Sequence, residues 1–222
     1  MRRITFSSNV LKIIAAFCMM IDHIGYIFMP KVTLMRVIGR LAFPLFAFMI
    51  AEGCRYTRNR LRYFLCVAVF AAAMQGVYFI FTKSMYMNVF VTFSCSILLV
   101  YALHSDFSKH TRAILFVFIL SAVYILNLYV KMDYGFWGCM LPVFASNYKS
   151  SGGNIFRVAG FALGLLLLSA SIGGIQPYCL LSLPFLLCYN GKRGKYNLKY
   201  FFYIFYPAHL AVLYCINILI NY

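Results

Sequence analysis

Apolar runs of about 17–22 residues recur along the whole sequence with only short polar breaks between them, which is the length a helix needs to cross a hydrocarbon core of ~30 Å. The solvent for such a chain is lipid. With 64% hydrophobic residues and a mean hydropathy of +0.85 in 222 residues, too little polar surface is left to cover a soluble core. Arg2 and Arg3 precede the first apolar stretch as they would in a signal peptide, yet Ile27-Phe28-Met29-Pro30-Lys31 offers no small-residue cleavage site, so the stretch reads as a retained helix. The pattern predicts an all-α, polytopic integral membrane helical bundle, one domain over 1–222, with about nine transmembrane helices: 9–29, 33–53, 61–82, 87–104, 112–131, 134–147, 155–172, 174–189 and 200–221. The sixth and eighth are short.

A formal charge of +16 suggests nucleic acid in a soluble protein, but here topology explains it. Alternate connections hold Arg2, Arg3 and Lys12; Arg55, Arg58, Arg60 and Arg62; Lys109 and Arg112; Lys149 and Arg157; and Lys192, Arg193, Lys195 and Lys199. The other ends hold only Lys31, Arg36, Arg40, Lys83 and Lys131. By the positive-inside rule this asymmetry places the N-terminus in the cytoplasm and, with an odd helix count, the C-terminus outside. No nucleic-acid partner is expected. The eight cysteines are scattered singly, without a CxxC pair or a His/Cys spacing suited to zinc, so no metal is expected.

Ionisable residues inside a membrane are expensive and point to partners or chemistry. There are four acids, Asp22, Glu52, Asp106 and Asp133. The first helix carries Lys12 and, eleven residues on, His23, which places the two on one face about 16 Å apart along the axis. His23 is the side chain best suited to take a proton from an attacking amine or hydroxyl near neutral pH; its alternative is a buried histidine bonded to a backbone carbonyl. Asp22 lies ~100° around the helix and faces another neighbour. Arg36 and Arg40 share its depth on the second helix, and a cross-helix Asp22–Arg40 ion pair follows from the cost of burying either alone. Asp133, followed by Tyr134, opens the sixth helix as a cap or an amine contact. His209 lies in the last helix just past Pro207, a further site candidate. The clusters Arg55–Arg62 and 190–195, the second with two glycines, are topology determinants, anionic-lipid contacts or phosphate contacts.

Leu11-Lys12-Ile13-Ile14-Ala15-Ala16 through Met20-Ile21-Asp22-His23-Ile24-Gly25, then Arg36-Val37-Ile38-Gly39-Arg40-Leu41-Ala42-Phe43-Pro44, Glu52-Gly53, Asp133-Tyr134-Gly135 and Tyr206-Pro207-Ala208-His209 resemble the TraX family nearly end to end. That resemblance implies N-terminal acetylation of conjugative pilin subunits at the bacterial inner membrane, in the wider company of transmembrane acyltransferases that modify sugars. It implies acetyl-CoA as acyl donor. In the wider group a basic residue, ten intervening residues and a histidine stand on the first helix, as Lys12 and His23 do here, with lysine in place of the usual arginine.

The roles then expected are catalysis by His23, Asp22 and Arg40; cofactor binding by Lys12, Arg55, Arg58, Arg62, Lys192 and Arg193; and acceptor binding or orientation by Arg36, Asp133, Tyr134 and His209. The expected partners are the lipid bilayer and a pilin-like acceptor peptide or a glycan, and an oligomer is left open. Three alternatives stand beside N-acetylation: O-acetylation of a cell-surface glycan, a small transporter, and a non-enzymatic pilus-assembly scaffold.

Overall fold

The computed structural model describes residues 5–147, 154–195 and 198–221, so Arg2, Arg3 and Lys149 lie outside the described residues. Among the described residues the ordered elements are α-helices, one 3₁₀ segment and two isolated β-bridges. Taken in order they are α1 (Ser8–Phe28), α2 (Thr33–Gly39), α3 (Ala42–Tyr56), α4 (Arg60–Thr82), α5 (Val89–Leu103), α6 (Lys109–Tyr129), α7 (Gly135–Phe144), α8 (Asn154–Ile172), the 3₁₀ segment Gln176–Ser182, α9 (Leu183–Leu187) and α10 (Lys199–Asn221). Six stretches are long and apolar enough to cross a membrane: Ser8–Phe28, Thr33–Tyr56, Arg60–Ile80, Lys109–Tyr129, Asn154–Ile172 and Phe201–Ile220. Val89–Leu103, Gly135–Phe144 and Gln176–Leu187 are apolar but shorter.

Two expected helices are divided, and proline explains both divisions. The stretch expected as 33–53 breaks at Arg40–Leu41, because Pro44 has no N–H to return to the carbonyl four residues back, that of Arg40. Pro44 is tolerated where it stands, in the first turn of α3, since those N–H groups have no helical partner anyway. Likewise 174–189 becomes a 3₁₀ segment followed by a single turn of α-helix, with Pro177 and Pro184 each at a helix start. Elsewhere short polar side chains set the beginnings. Asn59 accepts from the Arg62 N–H at 2.8 Å, Asn88 from Phe90 at 2.9 Å and Ser108 from Thr111 at 3.2 Å, satisfying donors that the first turns of α4, α5 and α6 leave open.

The chain divides into two compact units, residues 1–49 with 172–222, and residues 50–171. In the first, α1 packs against α2 and α10, and the 3₁₀ segment packs against α2 and α9. Cys18, Leu41 and Ala42 form a buried cluster there, flanked by Ile14, Met19, Ile38 and Phe185. The start of α1 is tied down by the 188–193 segment: the Phe6 N–H donates to the Cys188 carbonyl at 2.8 Å, Ser8 to Lys192 at 2.8 Å and Asn9 to Arg193 at 3.1 Å. Gly194, at φ +96°, fits here because a Cβ would lie 2.8 Å from Ser7 Oγ.

In the second unit α5 is central, packing against α4, α6 and α7 around Leu99, Val123, Met132 and Cys139. The outward face of α6 shows Ile114, Phe118, Ile125 and Leu128, all more than half exposed, a contiguous apolar stripe that only lipid or a partner helix satisfies.

Candidate functional site

In the first unit α1 is unbroken from Ser8 to Phe28, so the Lys12–His23 spacing expected from sequence is retained at ~16 Å along the axis. His23 Nδ1 lies 2.9 Å from His209 Nε2, and the two rings stack with centroids 5.0 Å apart. His209 is itself 8% exposed; its Nδ1 donates to the Phe205 carbonyl at 2.8 Å and its ring lies over the Phe205 ring. The fold thus joins two histidines 186 residues apart into one half-buried pair.

One residue before His23, Asp22 turns to the other side of α1 and meets both arginines of the second span. Its Oδ2 is 2.8 Å from Arg36 Nη1 and 3.2 Å from Arg40 Nη2. Arg36 also donates to the Asp22 backbone carbonyl at 3.2 Å and stacks over Tyr26. Arg40 donates from Nε to the Arg36 carbonyl at 3.4 Å and from Nη1 to Gln176 Oε1 at 3.4 Å. The Asp22–Arg40 ion pair expected from sequence is present, with Arg36 sharing the same carboxylate.

Gly39 explains how Asp22 fits against α2. A Cβ at Gly39 would lie 2.0 Å from Asp22 Oδ1 and 2.4 Å from Asp22 Cβ, so no rotation of that short side chain relieves the clash. Gly39→Ala is therefore expected to displace Asp22 from its guanidinium partners and cost about 1–3 kcal/mol. Thermal unfolding in detergent checks this, and an unchanged Tm contradicts it.

Gln176 is a residue that sequence reasoning missed. It is 1% exposed, and its Nε2 is a buried donor without a hydrogen-bond partner among the described residues. A lone amide inside the apolar run before Pro177 was the available signal.

Lys12 lies near Arg193, close enough for the two charges to interact, and the Lys192 and Arg193 carbonyls receive the first N–H groups of α1. Lys12, Lys192 and Arg193 are thereby gathered at one end of α1. The Lys192 N–H is held by Asn190 Oδ1 at 2.9 Å. Gly194 lets this loop pack closely on the start of α1 and Gly191 takes a φ of +73°, which accounts for both glycines without any phosphate.

The remaining expected residues fall in the second unit. Arg55, Arg58 and Arg62 are exposed around the start of α4. Arg55 lines a cavity of about 440 Å³ with Cys54, Arg60, Tyr101, His104, Asp106 and Arg112, whereas Arg58 and Arg62 are not among its lining residues. His104 Nε2 is 3.1 Å from Ser146 Oγ there. Arg60 and Arg112 entered the sequence reading only as basic residues of the connections, and His104 was not singled out.

Asp133 does not occupy the N-cap of α7, which falls to Tyr134 at φ +61°. Its Oδ1 instead accepts from the Tyr86 hydroxyl at 3.1 Å, and its carbonyl from Thr92 Oγ1 at 2.7 Å. Burial, and then the Asp133 carboxylate, push the Tyr86 phenol above its ordinary pKa. Arg157, read from sequence as a charge in a connection, is 5% exposed within α8 and pairs with Glu52, itself 3% exposed; its Nε donates to the Ala145 carbonyl at 3.0 Å.

Long apolar helices, an exposed apolar stripe, a buried ion pair and a half-buried imidazole pair define an α-helical membrane protein with a polar site inside its first unit. The chain matches the TraX protein family over residues 7–217 and belongs to it. It is 28% identical to the probable fimbrial assembly protein FimC, serogroup H1, of Dichelobacter nodosus, over 96% of each chain. It is 50% identical over 40 residues to an uncharacterized protein of Rickettsia prowazekii (strain Madrid E), covering 18% of this chain and 16% of that one. No solved structure matches the chain at a significant level.

Proposed function

We propose that the protein is a membrane-embedded acetyltransferase that moves the acetyl group of cytosolic acetyl-CoA to an acceptor amine, the N-terminus of a pilin-like peptide at the bacterial inner membrane. The observation that carries this reading is the half-buried His23–His209 pair at 2.9 Å, whose His23 stands on the same helix as Lys12 and next in sequence to Asp22 of the Asp22–Arg36–Arg40 cluster. Two paired imidazoles are expensive to keep in membrane spans unless they have work to do.

In this reading nine helical segments cross or enter the bilayer, the N-terminus is cytoplasmic, and the basic end of α1 meets cytosolic acetyl-CoA. Lys12, Lys192 and Arg193 hold its phosphates in the first unit, and Arg55, Arg58 and Arg62 offer a second basic surface in the other. The acceptor nitrogen attacks the thioester carbonyl while His23 takes its proton. The C–N bond forms, a tetrahedral oxyanion is stabilised by Arg40 or by Gln176 Nε2, the C–S bond breaks, and the proton held on His23 passes to the departing CoA sulfur. Arg36 and His209 orient these groups or the acceptor. The word fimbrial in the name of the Dichelobacter relative supports a pilin-like acceptor, and it also accommodates a pilus-assembly scaffold without enzymatic activity.

A hydroxyl acceptor on a cell-surface glycan is the second reading, and one observation favours it. The Asp22 carboxylate is already shared by two guanidiniums, so this cluster is net cationic and suits a neutral acceptor better than an ammonium ion.

Purified protein in liposomes, given acetyl-CoA labelled in the acetyl group together with a pilin N-terminal peptide or a glycan, tests the proposal. Label on the peptide amine supports it, and label on the glycan moves the acceptor to the second reading. Neither transfer nor acetyl-CoA binding by calorimetry leaves the scaffold. Replacing Lys12 or Arg193 with alanine is expected to raise the Kd for acetyl-CoA about 10-fold, the loss of one charge-assisted phosphate contact. Unchanged affinity in both variants removes that cluster from the cofactor site.

A further inference from the structure

We infer that His209 is a positioning residue that fixes the tautomer of His23 and so makes Nε2 of His23 the basic atom. The inference deepens the acetyltransferase reading and rests on it for its catalytic consequence, but the hydrogen-bond direction itself follows from geometry.

The chain of reasoning starts at a group whose role is not adjustable. The Phe205 carbonyl oxygen can only accept, so His209 Nδ1, 2.8 Å away, must carry a proton. In a neutral imidazole the other nitrogen then has a lone pair, which puts an acceptor at His209 Nε2. His23 Nδ1 lies 2.9 Å from that acceptor, so it must be the donor. The neutral His23 ring is left with its lone pair on Nε2, the atom pointing away from His209. One backbone carbonyl in α10 thereby sets the proton positions of two rings.

The fold holds each link. Phe205 and His209 are one helical turn apart, and their rings stack with centroids 4.9 Å apart and planes within 13°, while Tyr206 closes on the edge of His209 at 5.8 Å. His209 is thus held on three sides, and its freedom to rotate to another acceptor is small.

The arrangement does for His23 what a carboxylate does for a catalytic histidine elsewhere, with a neutral acceptor in place of the anion. The only carboxylate close by in sequence, Asp22, is taken by Arg36 and Arg40, so it does not compete for the ring. When His23 Nε2 gains the acceptor's proton, the ring becomes cationic, and its Nδ1–H bond to His209 strengthens because a charged donor now faces the same lone pair. When the proton leaves for the CoA sulfur, the original tautomer returns. No proton need pass to His209.

The test uses full-length protein in liposomes, ¹⁵N-labelled at histidine, with His104 and His110 replaced by glutamine so that only the two rings report. Nitrogen shifts in solid-state NMR distinguish a protonated from an unprotonated ring nitrogen. The expected result is Nδ1–H with bare Nε2 on both rings. His209→Gln, whose amide oxygen reaches the place of the lost Nε2, is expected to keep the His23 tautomer and retain kcat within about 10-fold. His209→Leu, of similar bulk but without an acceptor, is expected to mix the His23 tautomers and lower kcat by about 10²-fold or more with the KM for acetyl-CoA unchanged.

A proton on His23 Nε2 in the native protein overturns the inference, as does a glutamine variant no better than the leucine one, or a leucine variant with the native tautomer. If His23→Ala transfers acetyl as fast as the native protein, the acetyltransferase role of His23 falls while the nitrogen shifts still decide the direction of the hydrogen bonds.

Discussion

Replacing His23 with alanine is expected to lower kcat for acetyl transfer by about 10²–10⁴-fold, the usual contribution of a positioned general base, with the KM for acetyl-CoA little changed. The site supports the kcat effect because His23 is the one ring of the pair that presents a nitrogen away from both the other histidine and the helix backbone. It supports the unchanged KM because the basic residues that would hold the cofactor phosphates sit near the other end of α1, about 16 Å away. The fold is expected to survive, since His209 keeps its bond to Phe205 and its ring contacts with Phe205 and Tyr206 when His23 is truncated. Steady-state kinetics on purified protein, with circular dichroism to verify helix content, makes the measurement. A His23→Ala protein with native kcat removes the base from the mechanism, and one that loses its helices says only that the ring is structural, so His23→Gln, with an amide in place of the ring, is measured beside it.

The largest stability effect is expected at Arg157. Its guanidinium is buried against Glu52 in the second unit, and a second arginine, Arg55, stands 3.9 Å from the same carboxylate oxygen but is far more exposed. Arg157→Ala takes the contacting guanidinium away from the buried Glu52 carboxylate and removes the Nε–H that the Ala145 carbonyl accepts, so a loss of about 3–5 kcal/mol is expected. Taking two ions out of water costs nearly as much as their attraction returns. Replacing both together, as Glu52→Gln with Arg157→Met, is therefore expected to recover most of the stability lost by the single change. Unfolding in mixed detergent micelles compares the three proteins. A single Arg157→Ala variant within experimental error of the native Tm contradicts the buried pair, and so does a double variant less stable than the single.

The helical organisation was readable because its cause is local. Each apolar stretch carries its own length and its own polar ends, so segments such as 61–82 and 155–172 fall within a few residues of α4 and α8. The breaks inside 33–53 and 174–189 had their signal in Pro44, Pro177 and Pro184, but apolar composition alone runs straight through a proline.

Within the site, the Asp22–Arg40 pair was foreseeable from depth: both residues stand near the same ends of consecutive spans, and each is costly alone. The same reasoning was open to Glu52, whose partner Arg157 is 105 residues away, and positive-inside counting hid it by treating every basic residue near a helix end as a loop charge. His23 and His209 were each suspected singly. Their pairing required α10 to return against α1, and no periodicity in either helix specifies which neighbour it meets. Asp133 had the composition of a cap, yet tertiary contact with Tyr86 claims its carboxylate.

The claim on which the functional account stands is that this protein adds an acetyl group to an exported acceptor. The most direct measurement is the intact mass of the proposed pilin-like acceptor subunit, and of the surface glycan, purified from cells that carry the gene and from cells in which it is deleted. The account predicts a subunit heavier by one acetyl group, mapped to its N-terminal residue, only when the gene is present, and restored by the native gene but not by His23→Ala. Subunit and glycan of identical mass with and without the gene would contradict it.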